Sequence, residues 1–382
     1  MKLASPGKLL LFFALAALAA APAAAQISTP ASNAVLMDYE SGEVLFCQDC
    51  DQRMPPSSMS KLITVELVFQ RLKDGRLQPD DTFHVSERAW RQGLTDNESK
   101  MWVADGSDVR VDDLLKGIIV VSGGDACVVV AEALGGSEAE FAEMANRRAA
   151  ELGLTNSHFV NSHGLPDPAH YMSARDLGAL SAHIIREYPD YYQYFAIPEF
   201  TLSNIRQPNR NRLLFTNAGV DGLKTGHTEA GGYGIVASAQ RDGRRLIAVV
   251  NGLGSEAQRN TEAGRLLNIG FREFRSYELL AAGAIAGEAE VWGGASATVP
   301  ITVAAPLRAI LTPEARRQMQ VTLRYNGPIA APIAAGQEIG TLTVSAPGRP
   351  DRSFPVIAAE EVPVTGVFGY MLMGLNALIG GL

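Results

Sequence analysis

Hydrophobic and polar positions change their period several times along the chain, and each change marks an element. Ala34–Tyr39 and Glu43–Gln48 are short apolar-rich runs on either side of Ser41-Gly42, which predicts a β-hairpin. Beyond Pro55-Pro56, Leu62, Val65, Phe69 and Leu72 recur at helical spacing until Gly75, which predicts the first long helix. Asp112 is placed to cap a helix running into Val121. Ser137 with Glu140 and Ser173 with Asp176 have the spacing of capping boxes, for helices through Leu152 and Glu187. Tyr233–Gln240 and Arg244–Gly252 flank Asp242-Gly243, the turn pair of a second hairpin, and a helix follows from Glu256 to Phe274.

Strands at both ends of this region with helices between them predict one α/β domain, residues 26–275, whose first and last strands meet in one sheet. After Tyr277 the pattern shortens. Ala297–Val303, Gln320–Tyr325 and Ile339–Val344 alternate, separated by turn signals such as Asn326-Gly327-Pro328 and Pro347-Gly348. Residues 276–360 therefore read as a small all-β domain.

The two ends differ from the middle, for neither 9–34 nor 362–382 carries a charged side chain. Lys2 and Lys8 precede the apolar run Leu9–Ala21, and Ala23-Ala24-Ala25 supplies small residues before Gln26. This three-part pattern predicts a secretory signal peptide, residues 1–25; the run is short for a spanning helix, which needs ~20 residues. At the other end, Val364, Val367, Phe368, Met371, Leu372, Leu375, Leu378, Ile379 and Leu382 fall on one side of a helical wheel, with glycines, Thr365, Tyr370 and Asn376 on the other. Residues 361–382 are thus expected to form an amphipathic helix lying in the membrane interface with one face buried. A short span, a helix packed on its own protein and a tail held by a partner compete with that reading.

Composition narrows the classes. The chain has 382 residues, 47% apolar and 19% charged, enough to build cores. Its net charge of −8 argues against nucleic acid as the main partner. Three cysteines exclude a disulfide-built scaffold and a four-cysteine zinc site. Cys47 and Cys50 are close enough to bridge in an oxidising compartment, although the ring would be tight. Cys127 reads as a buried core residue. His158, His163 and His170 lack any acid–histidine helix motif, so no metal is expected, nor any other cofactor.

The chemistry-bearing residues lie in the first domain. Ser58-Met59-Ser60-Lys61 opens the first long helix. A Ser and a Lys three apart share a helix face, so one turn can hold a nucleophile and its activator. Alone that pattern is weak, and Ser5-Pro6-Gly7-Lys8 is a second match. Lys224-Thr225-Gly226 is rarer. It stands just before the strand Tyr233–Gln240, where a cation, a hydroxyl and a glycine suit an extended substrate ending in a carboxylate.

In this order, Ser58-x-x-Lys61, Ser122-Gly123-Gly124-Asp125 and Lys224-Thr225-Gly226 resemble the three motifs of the penicillin-recognising serine enzymes. Met37-Asp38-Tyr39, Pro56-x-Ser58, Asp125-Ala126-Cys127, Asn161-x-His163-Gly164-Leu165, Ser173-Ala174-Arg175-Asp176 and Asp221-Gly222-x-Lys224-Thr225-Gly226-His227-Thr228 are similar to one branch of that group. The branch is the D-alanyl-D-alanine carboxypeptidases, the low-molecular-mass penicillin-binding proteins.

The resemblance implies an antiparallel sheet flanked by helices and release of the terminal D-Ala of the peptidoglycan stem peptide through an acyl-enzyme, with β-lactams as inhibitors. It implies Ser58 as nucleophile, Lys61 as its base and Ser122 as proton carrier. Lys224, Thr225, Gly226, His227 and Arg259 would bind substrate, and the backbone N–H groups of Ser58 and His227 would form the oxyanion hole. A β-lactamase would need a deacylating Glu in an E-x-x-L-N loop, which the chain lacks. A DD-endopeptidase and a silent peptidoglycan binder remain alternatives.

One position departs from the family pattern. Gly124 stands where the middle motif has Asn, and the chain contains no S-x-N. Glycine removes an amide that would touch both substrate and catalytic lysine. The expectation is slower acylation than in a Gly124→Asn variant, unless water fills the space.

Overall fold

The structure, a computed structural model, describes residues 27–94, 98–347 and 351–366. The expected signal peptide and residues 367–382 of the expected amphipathic helix lie outside the described residues.

Five antiparallel strands form the main sheet, in the order Val44–Gln48, Asn33–Asp38, Arg244–Leu253, Gly232–Arg241, Val220–Thr228. The first hairpin and the last strand do meet, through Ala34 opposite Val250 and Leu36 opposite Ala248. Every residue of Asn33–Asp38 is buried, because both faces of the sheet are covered. The period of two sorts them: Val35 and Met37 join the large core under the helices, and Ala34 and Leu36 join the core under Glu256–Glu273. On the helical side Lys61–Lys73, Val111–Ile119, Gly124–Gly135, Glu138–Glu151 and Ala174–Glu187 pack together.

The serine half of each expected capping box forms, while the Asp176 carboxylate accepts instead from the Asn156 N–H and the Ser157 hydroxyl. Ser137 accepts from the Glu140 N–H and Ser173 from the Asp176 N–H, at 3.2 and 3.0 Å. Asp112 does not cap its helix. Arg110 occupies that position, and the Asp112 carboxylate, in the first turn, is held instead by Lys116 Nζ and the Tyr194 hydroxyl, each at 2.6 Å.

The C-terminal unit is a six-stranded sheet in the order Gln320–Tyr325, Glu338–Ser345, Arg352–Ala358, Thr298–Thr302, Ile285–Trp292, Ile329–Ala330. Arg275–Leu280 pairs with Leu307–Leu311 beside it. Val362 is buried in this unit's core and bridges to Ile333, while Val364 bridges to Gly294. Residues 362–364 therefore run as extended backbone on the β unit, anchored by the buried Val362 side chain, while Val364 stays exposed. Cys47 and Cys50 are bridged, and Cys127 is buried in the core with its thiol pushed up to about 12 by burial. Among the described residues no helix is long and apolar enough to cross a membrane.

Candidate active site

Ser57–Ser60 forms a short 3-10 turn, and Lys61 is the first residue of the helix behind it. The turn is where the edge strand Val220–Thr228 touches the helical layer. Ser57 Oγ lies 2.8 Å from Thr228 Oγ1, and a side chain at Gly226 would come within 3.0 Å of the Pro56 carbonyl. This close approach is the physical reason for the glycine after Lys224-Thr225. Gly164, at φ +88°, closes on the same turn from the other side, where a Cβ would stand 2.2 Å from the Ser57 carbonyl oxygen.

Lys61 is 0% exposed, and its Nζ lies 2.9 Å from Ser58 Oγ. It also donates to the backbone carbonyl of His163 and to Glu98 Oε1, the latter at 3.0 Å. Burial raises the Glu98 pKa, but Lys61, His163 and a hydrogen bond from Gln92 outweigh it and hold the carboxyl below its ordinary range. His163 Nε2 reaches Glu138 Oε1 at 3.1 Å. There too burial is overcome, by His163 and Ser162, and Glu138 is held down to about 2.

The second Lys–Ser pair faces the first across a cleft of about 540 Å³. Lys224 Nζ donates to Ser122 Oγ at 2.8 Å and to the Thr225 carbonyl at 3.0 Å. Burial, then the charge of Lys61, pushes the Lys224 pKa well below that of an ordinary lysine. Ser122 has φ +64°, a strained conformation for a serine, held at the tight junction between Val111–Ile119 and Gly124–Gly135.

Ser58, Ser122, Thr225, Gly226, His227 and Arg259 all line this cleft, and Lys61 and Lys224 lie buried behind it. His227 is exposed, its ring stacked on Tyr233 with centroids 3.9 Å apart. The Arg259 guanidinium is already paired with Glu256 Oε1 at 3.0 Å, so any carboxylate it binds shares it with that acid.

Three cleft residues escaped the sequence reading. Arg210 and Arg212 line the cleft beside Arg259, and Arg210 Nε is buried with no hydrogen-bond partner. Their only sequence signal was a pair of basic residues in a polar stretch. The third is Glu98, in a polar stretch between Trp90 and Trp102 that suits a loop at a site's rim as well as plain solvated surface.

Glu98 also corrects the expectation about Gly124. The space beside that glycine is not open, since an added Cβ would lie 2.0–2.2 Å from the Glu98 carboxylate atoms. Gly124→Asn therefore has to displace the Glu98 carboxylate instead of filling a gap.

Comparisons with known proteins agree with this geometry. Residues 19–255 match the family model described as D-alanyl-D-alanine carboxypeptidase, and residues 274–364 match that of the penicillin-binding protein 5 C-terminal domain. The chain is 37% identical over 357 residues to a D-alanyl-D-alanine carboxypeptidase DacA of Haemophilus influenzae, covering 92% of this chain and 90% of that one. To DacC of Escherichia coli it is 36% identical, covering 96% and 93%. Its fold is similar to a crystal structure of penicillin binding protein 5 from Haemophilus influenzae, with a TM-score of 0.74 at 36% identity, covering 88% of this chain and 98% of that one. It is also similar to the ampicillin-bound penicillin-binding protein D2 of Listeria monocytogenes, with a TM-score of 0.58 at 28% identity, covering 64% and 99%. With its first domain matched throughout the motif-bearing region, the chain belongs to the D-alanyl-D-alanine carboxypeptidase family.

Proposed function

We propose that the chain is a serine-type carboxypeptidase that removes the terminal D-alanine from peptidoglycan pentapeptide through an acyl-enzyme on Ser58, and that β-lactams acylate the same serine. The observation that carries this reading is a serine hydroxyl at the edge of a polar cleft with a fully buried lysine amine 2.9 Å behind it.

Ser58 Oγ attacks the carbonyl carbon of the penultimate residue, and its proton passes to Lys61 Nζ. The oxyanion that forms is held by the backbone N–H groups of Ser58 and His227; one such donor is worth ~10²–10³ in rate. When the C–N bond breaks, the leaving amine takes a proton from Ser122. Lys224 donates to Ser122 Oγ, which leaves the hydroxyl's own hydrogen free to be given away. The departing D-alanine carboxylate lies against Thr225, Lys224 and Arg259. The proton that Lys61 took from Ser58 makes good the one Ser122 gave away; Lys61 then takes a proton from the attacking water and hands it to Ser58 Oγ as the ester is hydrolysed.

The test is release of free D-alanine from a diacylated pentapeptide mimic, beside Ser58→Ala. Release no greater than in that variant defeats the reading. A silent binder would take a fluorescent penicillin yet release nothing.

We further propose three regions in the chain: a catalytic domain at 26–275, a β-rich domain after it, and a C-terminal membrane-surface helix. The N-terminal signal pattern and the Cys47–Cys50 bridge, which suits an oxidising compartment, support export to the periplasmic face of the inner membrane. Because the Val362 side chain is buried in the β unit and the Val364 backbone bridges to Gly294, the informative truncation ends after Gly366. That protein is expected in the soluble fraction with full activity; recovery from washed membranes counts against the helix.

A further inference from the structure

We propose that Glu98 is a positioning residue for the Ser58–Lys61 pair, and that Gly124 stands in the middle motif to make room for its carboxylate. An amine that acts as a base has two N–H bonds and one lone pair. Lys61 Nζ has three polar neighbours: Ser58 Oγ, Glu98 Oε1 and the His163 carbonyl. Two of these only accept. With its N–H bonds on Glu98 and His163, the amine has its lone pair left for Ser58, which is the orientation that proton removal needs.

Glu98 is held in place by the motif that lacks the asparagine. The Gly124 N–H donates to the Ser99 carbonyl at 2.9 Å. The Asp125 carboxylate accepts from the Met101 and Trp102 N–H groups, each at 2.8 Å. These bonds fasten the segment after Glu98 to the start of Gly124–Gly135. Gln92 Nε2 fixes the other carboxylate oxygen at 2.7 Å.

A side chain at 124 and the Glu98 carboxylate claim one volume, so the pair Gly124 and Glu98 is a joint exchange. The carboxylate takes over the acceptor contact to the lysine. It offers no donor to a substrate amide, so that contact is not replaced.

This inference rests on the serine–lysine reading above, which Ser58→Ala tests separately on the wild type. The experiment compares acylation rates by a fluorescent penicillin, each with a thermal melt, in full-length protein. Glu98→Ala is expected to be about tenfold slower than wild type, the scale of one lost buried hydrogen bond. Gly124→Asn alone is also slower, since its amide collides with Glu98. Glu98→Ala/Gly124→Asn together is faster than either single variant, because the amide now has room and an oxygen for Lys61. A group that merely braced the loop would show no such rescue. Glu98→Gln keeps both volume and acceptor and stays within about threefold of wild type, which serves if Glu98→Ala melts early. A double variant no faster than Glu98→Ala, Glu98→Ala within about twofold of wild type, or a tenfold loss in Glu98→Gln would each overturn the proposal.

Discussion

The two walls of the cleft carry the same chemical pair in opposite surroundings. On one, Lys61 lies behind Ser58; on the other, Lys224 lies behind Ser122. Both lysines are buried, and their amines stand 2.9 and 2.8 Å from the hydroxyls. Lys61 has a carboxylate at 3.0 Å. Among the described residues no carboxylate pairs with Lys224, whose charged neighbours include Lys61, Arg259 and Arg210. Burial among cations favours a neutral amine, suited to exchanging protons through Ser122. On the proposed mechanism the first wall works by placing acceptors around its amine. Residue type alone thus does not fix a lysine's part in the reaction; what surrounds it does.

That contrast can be broken with the same substitution on each wall. Lys61→Met removes the base and is expected to cut acylation by ~10²–10⁴. It also strands Glu98, 5% exposed, without its cation, and removing one partner of a buried ion pair costs about 3–5 kcal/mol. Lys224→Met is expected to slow D-alanine release as strongly. It removes a buried amine that burial favours in its neutral form and that pairs with no carboxylate among the described residues, however, so stability should stay within about 1 kcal/mol of wild type, the worth of its lost hydrogen bonds. Urea midpoints of the two variants decide the matter. Equal destabilisation would mean that the two walls are electrostatically alike.

How much of this was legible in the sequence follows from the range of the interactions. The hairpins, the capped helices and the β unit are built on local signals, so their spans are visible: Ser173 with Asp176, or Asp242-Gly243 between two apolar runs. The motif serines and lysines were legible because Ser58 and Lys61 sit one turn apart, while Lys224-Thr225-Gly226 is rare. Asp112 was misread because a local cap signal lost to a hydrogen bond with Tyr194, 82 residues away. Glu98 was illegible for the same reason. It lies 37 residues from Lys61 and is brought there by Asp125, which reads as part of another motif. The volume at Gly124 was also invisible, since a glycine says only that a side chain is absent, not what occupies its place.

The Lys61 wall has a further property that sharpens the comparison at smaller scale. His170 is 3% exposed, its Nδ1 accepts from the Val160 N–H at 3.2 Å, and its Nε2 is buried with no hydrogen-bond partner. Burial first, then the charges of His163 and Lys61, lower its pKa to about 4, against a smaller opposing pull from Asp167; His158 adds to the lowering. The unfolded chain binds this proton near pH 6.5, the folded one only near 4. The neutral ring therefore contributes stability that is fully present above pH 6.5 and is lost as pH falls towards 4. At about 1.4 kcal/mol per unit the whole loss is roughly 3 kcal/mol, and at pH 5 roughly 2. The carboxyls of Glu98 and Glu138 are held low and lose their contribution only below the ordinary carboxylate range, so the two windows separate. His170→Asn keeps an acceptor for the Val160 N–H and has nothing to protonate. Its urea midpoint should hardly move between pH 7 and 5, while that of the wild type falls; parallel declines in the two proteins would move the acid sensitivity of this wall to some other group.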